Sequence, residues 1–328
     1  MTAISVSGLT KDYGEVLAND DVSFDVAAGE VFGYLGPNGA GKTTTIRTLM
    51  GFQSPTSGTA TVLGADVRDE SALIEAKERI GYLPANPAFD ENSTGREILD
   101  LYGSVKGDTR SEELLDLFEV PVDRKIRSYS TGQKQKLGLV QAFMHDPDLV
   151  IMDEPTSGLD PLMQRRFNEF LRREKEAGKT IFLSSHVLTE VRNVCDRIGI
   201  IRDGRIVAVE RVEDLLHRSG KTVRVRVASE VDASAVTLDG AHDVSVRPVD
   251  GVYAQAPMAN GGQAGDAAGS ATELTFTYTG DYDSLVRFVG DFHVLELNVE
   301  EAPLEQIFMR FYGDDASQEA GAANGGAH

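Results

Sequence analysis

Residues 36–44 read GPNGAGKTT and lie between an apolar run of strand character, VFGYLG (31–36), and a helical pattern, TTTIRTLMG (43–51). The stretch matches G-x-x-x-x-G-K-[ST], in which glycines let backbone N–H groups face a polyphosphate at a helix N-terminus. Lys42 supplies a positive charge for the outer phosphates, and the Thr43 hydroxyl can ligate Mg²⁺. The sequence therefore predicts a loop that binds a nucleoside triphosphate. Its candidate contacts are Gly36, Pro37, Asn38, Gly39, Ala40, Gly41, Lys42, Thr43 and Thr44.

A second apolar run, DLVIMDE (148–154), ends in two adjacent carboxylates. Successive strand residues point in opposite directions, so Asp153 and Glu154 can take different roles. Asp153 would hold Mg²⁺, usually through water, and Glu154 would polarise the attacking water. If the Asp153–Glu154 pair stood alone, an acidic cap on the next element would be the better interpretation. Because the pair occurs together with residues 36–44, the catalytic interpretation is favoured.

Short β-rich runs alternate with helical patterns from residue 3 to about 217, which is typical of a mixed α/β domain. KTIFLSS (179–185) follows DLVIMDE after the amphipathic stretch 161–178. A strand, a helix and a further strand in this order predict a βαβ unit with parallel strands.

A helical insertion is predicted over about residues 86–145. The helical patterns within it are TGREILDLYGSVKG (94–107), SEELLDLFEV (111–120) and STGQKQKLGLVQAFMH (130–145). Ser130 followed three residues later by Gln133 is a capping box, so the last of these helices should begin near residue 131.

The pattern changes near residues 218–220, where alternating strands begin: TVRVRVAS (222–229), HDVSVRPV (242–249) and ELTFTYT (273–279). We therefore predict a first domain over residues 1–218 and a small α+β domain over 219–313. Within the second domain, the Gly- and Ala-rich segment 258–271 is expected to be a flexible loop, and PLEQIFMRFYG (303–313) a packed helix. Residues 314–328 are expected to form a disordered acidic tail.

The composition excludes several classes of protein. The 328 residues include 52 Asp plus Glu against 32 Lys plus Arg, a net charge of −20, and 41% are hydrophobic, which is enough for a buried core. The acidity argues against nucleic acid as a partner, because affinity for phosphate backbones depends on Lys and Arg. It favours a surface hydrated in a salty cytoplasm over ordinary solubilising charge. The sequence predicts no membrane span, no secretory signal and, with Cys195 as its single cysteine, no internal disulfide.

Four further segments carry a resemblance to a known family. They are Tyr13 in KDYGEV, YSTGQ (129–133, here called the signature segment), DEPTSGLD (153–160) and His186 in LSSHVL. In their order and approximate spacing, and together with residues 36–44, they resemble the nucleotide-binding subunits of ATP-binding cassette (ABC) transporters. Singly, Ser130 would be an ordinary N-cap, His186 a polar group at a strand end and Tyr13 a surface aromatic. Their joint occurrence over residues 3–217 favours the family.

The resemblance implies an α/β P-loop NTPase fold, an ABC cassette with a mixed sheet core and the helical insertion, followed by the small α+β domain. It implies ATPase activity with ATP and Mg²⁺ as cofactors, and a dimer in which each ATP lies between one subunit's phosphate loop and the other's signature segment. Tyr13 would stack on adenine, and Asp160 would reach across the interface. His186 would contact the γ-phosphate beside Glu154 and Lys42. From the partner side, the γ-phosphate would meet Ser130, Thr131, Gly132 and Gln133, at a helix N-terminus.

Two positions depart from the family pattern. Thr131 replaces the first signature glycine, which places a β-branched residue near a phosphate. At Ala85, where the family has a Gln or Glu that touches Mg²⁺ and couples the site to the membrane partner, the side chain has no ligand atom. Asn86 could substitute one position later, although Asn before Pro87 is more typical of a turn.

The resemblance also implies partners: a second cassette, expected to be another copy of this chain, and an integral membrane permease on a separate polypeptide. The chain would then lie in the cytoplasm, on the inner face of the cell membrane. IGYLP, the 94–120 helical region and the C-terminal extension most resemble exporters of the drug, antibiotic or ion efflux type. The alternative is a soluble ABC ATPase in translation or DNA maintenance. A GTPase or small-molecule kinase is a third possibility, but no N-K-x-D segment for guanine is present.

Overall fold

The computed structural model describes residues 1–249 and 271–301. The chain divides into two compact units, Met1–Val212 and Glu213–His328. Residues 258–270 of the predicted loop, the predicted helix over 303–313 and the predicted tail over 314–328 lie outside the described residues.

Ten strands in the described part of the first unit form two sheets. They are β1 (Thr2–Asp12), β2 (Leu17–Ala27), β3 (Val31–Leu35), β4 (Ser57–Val62), β5 (Ala65–Asp66), β6 (Ile80–Leu83), β7 (Leu149–Asp153), β8 (Thr180–Ser185), β9 (Arg197–Arg202) and β10 (Arg205–Arg211). The larger sheet has the order β10-β9-β3-β8-β7-β6, and the smaller has the order β2-β1-β4-β5. β7 and β8 are parallel neighbours, which confirms the predicted βαβ unit.

The larger sheet is parallel from β9 to β6, and only β10 runs antiparallel to its neighbour. Every residue of β3, β7 and β8 is buried, which explains why their sequences are almost continuous apolar runs. The two sheets share one core. Within it, the ring of Phe24 on β2 stacks on Phe32 of β3 and Phe182 of β8, with centroids 5.5 and 5.8 Å away. The candidate phosphate loop thus follows a rigid central strand.

The helices of the first unit are α1 (Lys42–Leu49), α2 (Glu70–Glu78), α3 (Gly95–Lys106), α4 (Ser111–Phe118), α5 (Thr131–Phe143), α6 (Pro161–Glu176) and α7 (Leu188–Val194). The predicted helices of the insertion are confirmed as α3, α4 and α5. α5 begins at Thr131 behind the predicted capping box of Ser130 and Gln133. An aromatic cluster of Phe118, Phe143 and Phe170 packs α4 and α5 onto α6.

The second unit has an antiparallel sheet of order β12-β13-β11-β14, formed by β11 (Lys221–Val227), β12 (Ala241–Val249), β13 (Ala271–Tyr278) and β14 (Val294–Glu301). Helix α8 (Val212–Ser219) precedes it, and α9 (Tyr282–Gly290) covers its apolar face with Leu285 and Val289. β14 and α9 were not predicted.

Two predicted boundaries differ from the structure. Ala271 does not close a loop but opens β13, where it pairs with Val249 and is buried. The units divide after Val212, whereas the prediction placed the boundary at residue 218. The prediction depended on the change to alternating strands, and α8 precedes that change. None of the helices in the described part of the chain has the length and apolar character that crossing a membrane requires.

Candidate active site

A cavity of about 590 Å³ opens at the carboxyl ends of β3 and β7. It brings together two segments far apart in sequence, the phosphate loop (residues 36–44) and the Asp153–Glu154 pair. Its lining residues are Val16, Leu17, Ala18, Pro37, Asn38, Gly39, Gly41, Lys42, Thr43, Thr44, Ala85, Asp153, Glu154, Asp203 and Gly204. Ligands of open α/β sheets bind in this position, outside the carboxyl ends of the strands.

The conformation of the phosphate loop requires glycine at two positions. A Cβ atom on Gly36 would lie 2.4 Å from the Ile201 carbonyl oxygen, and one on Gly41 would lie 2.3 Å from the Ala18 carbonyl oxygen. Gly41 also has φ +100, which side chains rarely adopt. It directly precedes Lys42 at the N-terminus of α1, so the backbone N–H groups of this turn are available to an anion in the cavity.

Lys42 is buried beneath the loop with three oxygen neighbours. Its Nζ donates to the carbonyl oxygens of Gly36 and Pro37 at 2.7 and 3.2 Å, and lies 3.2 Å from Glu154 Oε1. A polyphosphate that enters the loop would compete with these oxygens for the ammonium group. Because the side chain is only 6% exposed, solvent screens that interaction weakly.

Thr43 and Asp153 place two oxygen atoms side by side that fit Mg²⁺ as ligands. Thr43 Oγ1 donates to Asp153 Oδ2 at 2.7 Å, and the Ser184 hydroxyl donates to the other carboxylate oxygen. A hydroxyl and a carboxylate oxygen are hard ligands of the kind that Mg²⁺ prefers. Among the described residues, no group of three or more His, Cys, Asp or Glu side chains could hold a metal ion. With Thr43 and Asp153 as protein ligands, water and phosphate oxygens would complete the coordination, as is usual for this ion.

The two carboxylate oxygens of Glu154 have different neighbours. Oε2 lies 2.8 Å from His186 Nδ1, whereas Oε1 is buried and makes no hydrogen bond to any described residue, despite its proximity to Lys42. Glu154 lines the cavity, where a carboxylate can accept a proton from an attacking water. The half-exposed His186 side chain reaches the site through this contact.

The signature segment and Asp160 do not line the cavity of their own chain. Ser130 Oγ accepts from the Gln133 N–H at 3.2 Å and caps α5. Asp160 caps α6, and the hydrogen bond that it accepts from the Met163 N–H lowers the pKa of its carboxyl group. In a single chain, these residues are the N-caps of two helices that begin outside the cavity.

Tyr13 also lies outside the cavity lining, and its ring is 55% exposed. Its hydroxyl donates to Gln53 Oε1 at 2.6 Å, and the Lys11 ammonium lies 5.0 Å from the ring centroid. The part of the cavity wall nearest to Tyr13 in sequence is Val16 to Ala18. It was not predicted, although Val16 is the last residue of KDYGEV.

Position 85 stands in the cavity wall as expected, with an alanine side chain that has no ligand atom. Asn86 is exposed and is not part of the lining. Two residues that contact the Asp153–Glu154 segment were not predicted. They are Ser184 and Gln135. The sequence feature that could have indicated Gln135 is its place in the capped helix after the signature segment.

Comparisons with known proteins agree with this arrangement. A family model described as ABC transporter matches residues 19–157. The chain is 42% identical over 213 residues to an uncharacterized ABC transporter ATP-binding protein of Nostoc sp., and the match covers 62% of each chain. It is 33% identical over 319 residues to the Nod factor export ATP-binding protein I of Sinorhizobium fredii, which covers 95% of this chain and 86% of the relative.

The fold agrees with a solved structure described as the ATP-binding subunit of an ABC transporter. That structure is 31% identical to this chain, with a TM-score of 0.61. The superposition covers 66% of this chain and 92% of the other.

Proposed function

The chain belongs to the ABC transporter family, and from that premise we propose that it is the ATPase subunit of an exporter, works as a dimer and drives a separate membrane permease. ATP binding and hydrolysis are the general activity of this family.

The proposed chemistry assigns each side chain of the cavity one task. Lys42 and the loop N–H groups bind the β- and γ-phosphates. Thr43 and Asp153 hold Mg²⁺, which would neutralise charge on those phosphates. Glu154 accepts a proton from the attacking water, while His186 holds its Oε2 atom and contacts the γ-phosphate.

The proposed dimer completes this site. The phosphate loop is reached through an open cavity, and the N-termini of α5 and α6 lie outside that cavity on the same chain. In the proposed arrangement, Ser130 to Gln133 of the second copy bind the γ-phosphate with a helix N-terminus, Asp160 reaches across the interface and Tyr13 stacks on adenine.

A second cavity carries the proposal of a permease partner. This apolar groove, of about 350 Å³, is lined by Met50, Phe52, Lys77, Tyr82, Pro84, Pro87, Ala88, Phe89, Tyr102, Lys106 and Gln141. Pro84 lines the apolar groove and the next residue, Ala85, lines the nucleotide cavity. Burial, reinforced by the charge of Asp153, raises the pKa of Tyr82 in the groove to about 12. Because Pro84 and Ala85 are adjacent in the chain, an occupant of the groove would act on the nucleotide cavity through these two residues.

We infer that this occupant is a short amphipathic segment of the permease. Leu101 and Val105 on α3 are 62% and 77% exposed and extend the apolar surface beyond Tyr102. Exposed apolar patches next to a groove mark interaction sites. The chain would then lie on the cytoplasmic face of the membrane, and the name of the Sinorhizobium fredii relative favours export over import.

We expect Tyr102→Glu to release the chain from membranes, because a carboxylate in the apolar groove would have to be desolvated against the permease segment. The measurement is the fraction of the chain that stays in washed membranes from cells that make it. The matched control is Val207→Glu, since Val207 is 42% exposed on β10 and lies outside the apolar groove.

The permease partner is supported if the wild type and Val207→Glu stay in the washed membranes and Tyr102→Glu does not. Purified Tyr102→Glu must also keep the wild-type melting temperature. Recovery of the wild-type chain entirely in the wash would contradict it and would favour the alternative of an ABC ATPase outside transport.

A further inference from the structure

Gln135 is buried where the first turns of α5 meet the loop formed by residues 154–160 (here the 154–160 loop). The side chain is 1% exposed. Its Nε2 group donates to the Pro155 carbonyl oxygen at 3.0 Å and to the Glu154 carbonyl oxygen at 3.3 Å. One amide group therefore holds two successive carbonyl groups, beginning with that of the proposed general base.

The backbone at Glu154 needs such support. Its φ of +48 lies in the left-handed region, which a glutamate rarely adopts. A conformation of this kind persists only where the surroundings over-determine it. The Glu154 N–H donates to Ser184 Oγ at 3.1 Å, and the Glu154 carbonyl accepts from the Ser157 N–H at 3.1 Å in addition to Gln135. The contact with Gln135 is the one among these that joins the Glu154 backbone to α5.

α5 also packs against the far end of the same loop. A Cβ atom on Gly132 would lie 2.4 Å from the Gly158 carbonyl oxygen, so the two backbones are in close contact. Gln135 and Gly132 thus fix both ends of the 154–160 loop to the first turns of α5. This is the helix whose N-terminus carries the signature segment.

We propose that Gln135 is a positioning residue for ATP hydrolysis: by fixing the Glu154 and Pro155 carbonyl groups, it aims the Glu154 carboxylate and ties that aim to the position of α5. The inference rests on the proposed role of Glu154 as general base. In the proposed dimer, the signature segment faces the nucleotide of the partner chain. Movement of α5 upon ATP binding at that site therefore reaches the general base that serves the other site.

The first test is Gln135→Met, which keeps the length of the side chain and removes the amide donor. We expect kcat for ATP to fall roughly 10- to 100-fold, since a small misplacement of a catalytic group has an effect of this size. KM and the affinity for ATP should stay at wild-type values, because the phosphate loop is untouched. The matched control is Gln164→Met, which removes an amide that donates to the Leu159 carbonyl oxygen at 3.2 Å, away from Glu154. Its kcat should be that of wild type.

A double-variant cycle separates positioning from a structural role. In a Glu154→Gln background, Gln135→Met should leave the residual single-turnover rate unchanged, because Gln135 acts through the Glu154 carboxylate. A further fall would show an independent effect and overturn the inference. So would equal falls of kcat in Gln135→Met and Gln164→Met.

Gln135→Glu is the second variant, for the case that Gln135→Met melts early. Only the protonated carboxyl can donate to the two carbonyl groups. Its kcat relative to wild type should therefore rise as the pH is lowered, and a ratio independent of pH would overturn the inference. If Gln135→Met hydrolyses ATP at the wild-type rate, the inference alone is overturned. If the wild type does not hydrolyse ATP, the proposed function is overturned with it.

Discussion

Glu154→Gln should lower the rate of ATP hydrolysis about 1,000-fold, within the range that a general base contributes, and should leave ATP affinity at its wild-type value. The amide keeps the size of the side chain and an oxygen for His186, but it cannot accept a proton from water. Because binding survives and turnover does not, the ATP-bound dimer should accumulate. Steady-state turnover, ATP titration and size-exclusion chromatography with ATP measure the three effects.

Glu169→Gln is the matched control, since Glu169 is exposed on α6 and pairs with Arg165 at the surface. It should hydrolyse ATP at the wild-type rate. Robust hydrolysis by Glu154→Gln would remove Glu154 from the role of general base and leave its contacts with Lys42 and His186 as purely structural.

Lys42→Ala should weaken ATP binding itself, by about 10- to 100-fold in Kd, the equivalent of losing about one hydrogen bond to a charged group. Lys42 is the buried cation of the cavity, and its loss leaves the β- and γ-phosphates without that counter-charge. Titration with a fluorescent ATP analogue measures the affinity directly.

Lys179→Ala is the control for this loss of charge. Lys179 is largely buried too, but it pairs with Asp146, and neither residue lines the nucleotide cavity. Its Kd for ATP should equal that of wild type. An unchanged affinity in Lys42→Ala would place the phosphates elsewhere in the cavity, away from this side chain.

Local sequence signals predicted much of the fold around the site. Gly36 and Gly41 have to be glycine because other backbone lies within 2.4 Å of where their Cβ atoms would be, so the loop leaves a visible pattern in the sequence. The same holds for α5, where Ser130 and Gln133 satisfy each other's backbone N–H groups three residues apart. Signals of this kind depend on neighbours in the chain and can be read without a structure.

The contacts that were missed join residues distant in sequence. Ser184 reaches Asp153 across 31 positions, and Gln135 reaches Pro155 across 20. A serine at a strand end and a glutamine within a helix have no distinctive local pattern, because their partners are decided by how β7, β8 and α5 pack. β14 and α9 were missed for a related reason. Val299 of β14, like Leu285 and Val289 of α9, packs into the core of the second unit because the sheet lies beside it.

The most direct test of the account is complementation between two inactive variants. Lys42→Ala disables the phosphate loop, and Ser130→Asp keeps an N-cap on α5 but places a negative charge against the γ-phosphate. At an ATP concentration near the wild-type Kd, where Lys42→Ala leaves the phosphate loop largely empty, each variant alone should show little turnover. In an equimolar mixture, random pairing of a two-fold dimer gives mixed dimers with one intact site, so turnover should recover to about a quarter of wild type. A mixture as inactive as its components would contradict an ATPase site shared between two copies of this chain.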